Sequence, residues 1–152
     1  EVLRERGVRA LVVRGTDGLD EISTFGPTQV WNATGDAVVE EVIDPQAWGI
    51  ARAEPGALLG SSALANADVV LAVLDPDRRG DLPAERYQAI FDSVVVNAAA
   101  ALVAHDVASG AISSGSVSGN IHDALPRARE AMESGDAWRV LQRWIGFSQQ
   151  SE

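Results

Sequence analysis

Apolar positions along this chain follow two rhythms, strand-like in the first third and helical thereafter. Residues 8–13 (VRALVV) are short, β-branched and nearly all apolar. A strand covered on both faces has that pattern, and it predicts a parallel interior strand. Residues 28–33 and 37–43 carry strand-forming side chains on either side of Thr34-Gly35-Asp36. They predict an antiparallel hairpin with Val30 and Trp31 on opposite faces. Before them, residues 1–7 (EVLRERG) read as the tail of a helix with Gly7 as its C-cap.

Beyond the hairpin, Asp44-Pro45 stops the second strand and caps a brief turn through Gln46, Ala47 and Trp48. Ser61-Ser62 caps a helix in which Leu64, Ala67, Val70, Leu71 and Leu74 recur at helical spacing, ended by Asp75-Pro76. A long helical stretch follows over residues 83–108, with a candidate break at Asp92-Ser93. Its second half, residues 94–104, is apolar on nearly every face, which predicts burial on all sides. Residues 109–120 are a Gly/Ser-rich loop, long enough to be a mobile spacer or functional. Two closing helices, 121–133 and 137–145, flank Ser134-Gly135-Asp136 and carry the stripes Leu125, Ala128, Met132 and Trp138, Leu141, Ile145.

The elements describe an α/β fold with one buried parallel strand, a β-hairpin and several packed helices, without an internal repeat or domain boundary. One doubly covered strand and one hairpin are too little sheet to shield the apolar stretch at 94–104. The expectation is therefore that residues 1–152 are the C-terminal portion of a larger α/β domain, beginning in mid-fold.

Composition narrows the chemistry. With 46% hydrophobic residues the chain can bury a core. Acidic residues number 22 against 12 basic, a net charge of −10, which disfavours nucleic acid and anionic membrane surfaces as partners. None of the basic residues is lysine, which excludes Schiff-base chemistry and lysine-mediated phosphate binding from this chain. Absence of cysteine removes disulfides, thiolate catalysis and sulfur-ligated zinc, and suits a reducing cytoplasm, the expected compartment. The sequence has neither an apolar run of about 18 residues nor a basic-then-apolar leader, so no membrane association is expected.

Gly15-Thr16-Asp17-Gly18-Leu19-Asp20-Glu21 follows the first strand directly. In open α/β sheets, ligands gather outside the carboxyl ends of strands, and glycines let a loop bring backbone and carboxylates to one bound group. By spacing alone, the adjacent Asp20 and Glu21 are either a solvated turn or a site. Among the other candidates, His105 and His122 share no catalytic or metal-ligand spacing and read as helix surface or satisfied core. Asn97, within the apolar helix, predicts a buried hydrogen bond to a neighbouring segment, with a substrate-side contact as the lesser alternative. Ser23, Thr24 and Thr28 offer hydroxyls to water or phosphate, or serve the turn and strand start. The four Trp read as packing residues, and Arg78-Arg79 as a solvated loop pair.

Taken as a string, residues 12–28 (VVRGTDGLDEISTFGPT) resemble the region around the Asp-Glu pair of anthranilate phosphoribosyltransferases. Asp44-Pro45 with Trp48-Gly49-Ile50, Leu58-Leu59-Gly60 with Ala63 and Asn66-Ala67, and residues 92–102 (DSVVVNAAAAL) follow in that family's order. So do residues 128–135 (AREAMESG) and the last, Trp-bearing helix, so the resemblance covers nearly the whole chain. It implies a transferase that joins anthranilate to the ribosyl carbon of phosphoribosyl diphosphate, releasing diphosphate, in tryptophan biosynthesis. It further implies Mg2+ as cofactor with Asp20 and Glu21 as metal ligands, and a homodimeric full-length enzyme.

The family's Gly-Thr-Gly-Gly-Asp phosphate loop, its Lys-His-Gly-Asn motif, an anthranilate-holding arginine and most of its helical dimerisation domain lie upstream of this region. None occurs here, so the chain alone is expected to be inactive. Two positions depart from the family pattern. Gly60-Ser61-Ser62 stands where Gly-Gly-Asp is expected, altering a cap or surface contact, or a metal or phosphate role. Arg14 stands where His is frequent, and is expected to pair with a nearby Asp or to reach a phosphate. Two other functions compete with the transferase: a non-catalytic relative or interaction module, and a nucleoside phosphorylase of related fold. The intact Asp20-Glu21 pair favours the transferase.

Overall fold

The structure is a computed structural model that describes residues 1–150. The element order is α1 (Val2–Glu5), β1 (Leu11–Gly15), β2 (Thr28–Asn32), β3 (Val39–Ile43), α2 (Ala63–Leu74), α3 (Ala84–Ala108), α4 (Val117–Glu133) and α5 (Asp136–Gln149). The strands form one sheet of order β1-β2-β3. The expected hairpin is present: β2 and β3 pair antiparallel from Thr28 opposite Ile43 to Asn32 opposite Val39. The α/β class holds, with helices covering one face of the sheet.

β1 corrects the expectation of a parallel interior strand. It pairs antiparallel with β2, Leu11 opposite Asn32 and Gly15 opposite Thr28, and forms an edge of the sheet. Its burial alternates, with Leu11 and Val13 turned toward the core and Val12 and Arg14 exposed. An almost wholly apolar strand reads the same whether one face is covered or both, so composition alone did not separate the two cases.

α3 packs chiefly against α4, and their buried side chains meet those of the sheet: Val95, Val96, Ala99 and Ile121 are fully buried with Val30 of β2. The helix runs unbroken through Asp92-Ser93 because both side chains are accommodated inside. Asp92 accepts hydrogen bonds from Gln88 Nε2 (2.9 Å) and Arg129 Nη2 (3.2 Å). Burial on all sides does not hold, since Val94 and Ala101 face outward. By length and composition α3 is also apolar enough to cross a membrane, where the sequence reading found no such run; in this fold half of its most apolar window is buried inside the protein.

Capping follows the sequence closely. Asp44 Oδ1 accepts from the Gln46 N–H (3.1 Å), and Ser62 Oγ from the Ala65 N–H (3.3 Å). α4 begins four residues earlier than expected because Ser116 Oγ accepts from Gly119 N–H and the Glu41 carboxylate accepts from Val117 N–H. Two stripes are corrected. α2 buries Ala72 and Val73 while Leu64 and Val70 are exposed. α5 buries no residue fully, and Ile145 lies exposed beside Trp144.

Candidate functional site

The loop of residues 16–27 joins β1 to β2 at the end of the sheet where α3 passes beneath it. Its first turn closes through Gly15 N–H to Leu19 C=O (2.8 Å) and Gly18 N–H to Gly15 C=O (3.0 Å), with Gly18 in the left-handed region (φ 98°). Of the three acids here, Asp17 is exposed but turns its carboxylate back onto the loop. Its Oδ2 accepts a 2.5 Å hydrogen bond from Ser23 Oγ, and its Oδ1 accepts from Leu19 N–H (3.2 Å). Ser23 Oγ in turn accepts from Phe25 N–H (3.0 Å), and Thr28 Oγ1 from Ser23 N–H (3.0 Å). The hydroxyls of Ser23 and Thr28 therefore shape the loop. Among the described residues the buried Thr24 hydroxyl has no partner.

Asp20 and Glu21 project outward, and neither side chain forms a hydrogen bond or ion pair among the described residues. Directly behind them Ile22, Ser23 and Thr24 are buried. Ile22 is held by Asn97 of α3: its N–H donates to Asn97 Oδ1 (2.9 Å) and its C=O accepts from Asn97 Nδ2 (3.0 Å). This is the hydrogen bond to a neighbouring segment expected of Asn97, which the structure leaves half-buried. The far limb is tied down by Thr24 C=O accepting from Ala53 N–H (3.1 Å), and by Arg52, which donates to Phe25 C=O and to Gln46 Oε1 (2.6 Å).

Two unpaired carboxylates on a braced loop suit a hard divalent cation. Magnesium takes one or two protein carboxylates and completes its shell with water and substrate phosphate oxygens. No cluster of three or more His, Asp or Glu forms among the described residues, so this chain offers Asp20 and Glu21 and nothing denser.

Residues 1–138 match the profile described as glycosyl transferase family, a/b domain. The chain belongs to that family. Within it, the chain is 43% identical over 151 residues to an anthranilate phosphoribosyltransferase of Arthrobacter sp. (strain FB24), covering 97% of this chain and 38% of that protein. The corresponding protein of Nocardioides sp. (strain ATCC BAA-499 / JS614) is 43% identical over 144 residues, covering 95% and 38%. Among solved structures, anthranilate phosphoribosyltransferase from Saccharomyces cerevisiae in complex with PRPP and Mg superposes with a TM-score of 0.67 at 25% identity, covering 91% of this chain and 34% of that one. The enzyme from Thermus thermophilus gives 0.65 at 28% identity, covering 95% and 37%. The chain thus spans 38% of the length of the first curated relatives it matches.

The remaining candidates fall away from the loop. His105 and His122 are exposed helix residues beside Asp106 and Asp123. Arg14 is exposed and makes no ion pair among the described residues, which corrects the expected pairing with an Asp. Ser62 acts as a helix cap, and Asn66 Oδ1 accepts from Ser61 N–H (2.9 Å), so the departed segment closes on itself. Arg78-Arg79 lies at the surface as expected, with both side chains engaged. Arg78 bonds Asp81 (2.7 Å), and Arg79 donates to the C=O of Glu133 (2.9 Å) at the end of α4. Trp48 packs on the core and donates from Nε1 to Ser118 Oγ (3.3 Å), while Trp144 stands in solvent. Sequence reasoning missed Asp17 and Arg52. Asp17, three residues before the pair it supports, differs from Asp20 only in where its carboxylate turns.

Proposed function

We propose that the protein containing this chain transfers the phosphoribosyl group of phosphoribosyl diphosphate to anthranilate, giving N-(5-phosphoribosyl)anthranilate and diphosphate in tryptophan biosynthesis. The observation that carries this reading is the outward Asp20-Glu21 pair, unpartnered on a loop braced from three sides, in a chain 43% identical to anthranilate phosphoribosyltransferases.

Loss of diphosphate leaves cationic character at the ribosyl carbon and charge on the departing oxygens. The largest help comes from groups that stabilise the leaving charge, and no enzyme nucleophile is needed. Mg2+, when bound, supplies Lewis-acid stabilisation of the phosphate oxygens. Asp20 and Glu21 are its protein ligands. Asp20 and Glu21 lie on consecutive bend residues and would serve two ions, or one of them would act through water. Neither acts as a general base. Asp17, Ser23 and Arg52 hold the loop in shape and leave the outward acids free for the metal.

Residues 1–152 are the C-terminal portion of the phosphoribosyltransferase α/β domain. The phosphate loop, the anthranilate site and the helical dimerisation domain come from upstream sequence, in a cytoplasmic homodimer. On this reading the chain by itself binds phosphoribosyl diphosphate poorly and does not turn over. The test is loss of anthranilate fluorescence on adding phosphoribosyl diphosphate and Mg2+ to a polypeptide extended upstream to the length of the relatives, beside its Asp20→Asn/Glu21→Gln counterpart. Signal loss confined to the unaltered pair supports the transferase and the metal role together. No loss in either refutes the transferase, and robust turnover by the 152-residue chain refutes its dependence on upstream sequence.

A further inference from the structure

We propose that Asn97 is a positioning residue for the Asp20-Glu21 pair, setting from the core helix the direction in which the two carboxylates are presented; the inference rests on the metal role assigned to that pair. Asp20 and Glu21 form no hydrogen bond through backbone or side chain among the described residues. Their orientation is therefore decided by their flanks. On one side Leu19 C=O is held by Gly15 N–H (2.8 Å), and on the other Ile22 is held by Asn97 alone.

The Asn97 contact is a two-point grip. Oδ1 accepts from Ile22 N–H while Nδ2 donates to Ile22 C=O, and the second Nδ2 proton goes to Ser93 C=O (3.0 Å) one turn back on α3. With both donors engaged the amide plane has one orientation. Gripping Ile22 N–H fixes the plane of the Glu21–Ile22 peptide, because that bond is planar, and so fixes the Cα of Glu21. The side chain of Ile22 is wholly buried, which prevents the segment from sliding. Asn97 sits between Val96 and Ala99 on the most buried part of α3, so the loop is tied to the core helix. Outer groups that orient metal ligands affect affinity about 10- to 100-fold when removed.

The test measures Mn2+ binding to the 152-residue chain by the electron paramagnetic resonance of the free ion. Four proteins are compared: unaltered, Asn97→Leu, Asp20→Asn/Glu21→Gln, and Val103→Ala. The last removes buried volume from the same helix without touching a loop hydrogen bond. Asn97→Leu keeps the side-chain size and loses both bonds to Ile22. The expected result is a Mn2+ affinity about tenfold weaker in Asn97→Leu, and unchanged in Val103→Ala. Unchanged affinity in Asn97→Leu, or equal weakening in both variants, overturns the positioning role. If the unaltered chain binds Mn2+ no better than Asp20→Asn/Glu21→Gln, the metal reading itself falls and the inference with it.

Should Asn97→Leu fail to fold, the reciprocal effect is read on the unaltered chain. A grip that favours metal binding must be favoured by metal. Saturating Mg2+ then slows hydrogen exchange of the Ile22 amide more than that of the Val30 amide in β2. Equal or no slowing overturns the proposal.

Discussion

Asp17 and Ser23 are joined by a 2.5 Å hydrogen bond between carboxylate and hydroxyl, and Gly15 is packed against both. A β-carbon at Gly15 would collide with Asp17 Oδ1 and come within 3.0 Å of the Ser23 β-carbon. The glycine leaves room for the end of the Asp17 side chain, and the backbone there is not left-handed. Gly15→Ala is expected to displace the Asp17 carboxylate and cost about 1 to 2 kcal/mol, near the value of the hydrogen bonds lost. In a denaturation-based double-mutant cycle, Gly15→Ala should cost little more once Asp17→Ala is present. Full additivity of the two changes would show that they do not share this contact.

Asp20 and Glu21 are exposed and unpaired, so the fold does not depend on them. Asp20→Asn/Glu21→Gln is expected to leave metal-free stability within about 0.5 kcal/mol of the unaltered chain. Chemical denaturation without divalent cation checks this. A large loss would assign the pair a structural role.

The Arg129 guanidinium stacks 5.2 Å from the centre of the Phe91 ring and reaches the buried Asp92 at 3.2 Å, linking α4 to α3. Arg129 is itself partly exposed, and its removal leaves the buried Asp92 carboxylate with Gln88 as its remaining partner, which costs about 1 to 3 kcal/mol. Arg129→Met is expected to destabilise on that scale, and Asp92→Asn added to it should restore part of the loss. Urea midpoints of the two proteins decide the matter; a further drop in the double variant would contradict the ion-pair account.

Acid should weaken a second link between the same helices. Arg127 hydrogen bonds to Asp106 at 2.7 Å and His105 approaches it at 3.1 Å. The Arg127 hydrogen bond first, and the His105 hydrogen bond second, hold the Asp106 carboxyl below its ordinary value of 3.8. A lowered folded-state pKa contributes stability that is present above the ordinary value and lost as pH falls through the folded one. The stability difference between the unaltered chain and Asp106→Asn should be constant near neutrality and shrink below pH 3.8. Urea titrations across that range read it, and a difference that grows toward acid would reverse the assignment.

Much of this protein was determined by local sequence. The hairpin follows from β-forming runs about Thr34-Gly35-Asp36, and the caps at Asp44 and Ser62 from side chains that reach their own backbone a few residues on. The place of Asp20-Glu21 in a loop directly after a strand was legible from the string itself. Tertiary structure decided the rest. Where a segment is apolar on several sides, as in β1, α2 and α3, spacing cannot choose the inward face, and only the packed neighbours do. The placement of the three loop acids was equally open, because Asp17, Asp20 and Glu21 are chemically alike until Ser23 ties one of them to the loop. Asn97 could be expected to find a partner because an unpaired buried amide is costly, but that the partner is Ile22, 75 residues away, depends on how α3 passes beneath the loop.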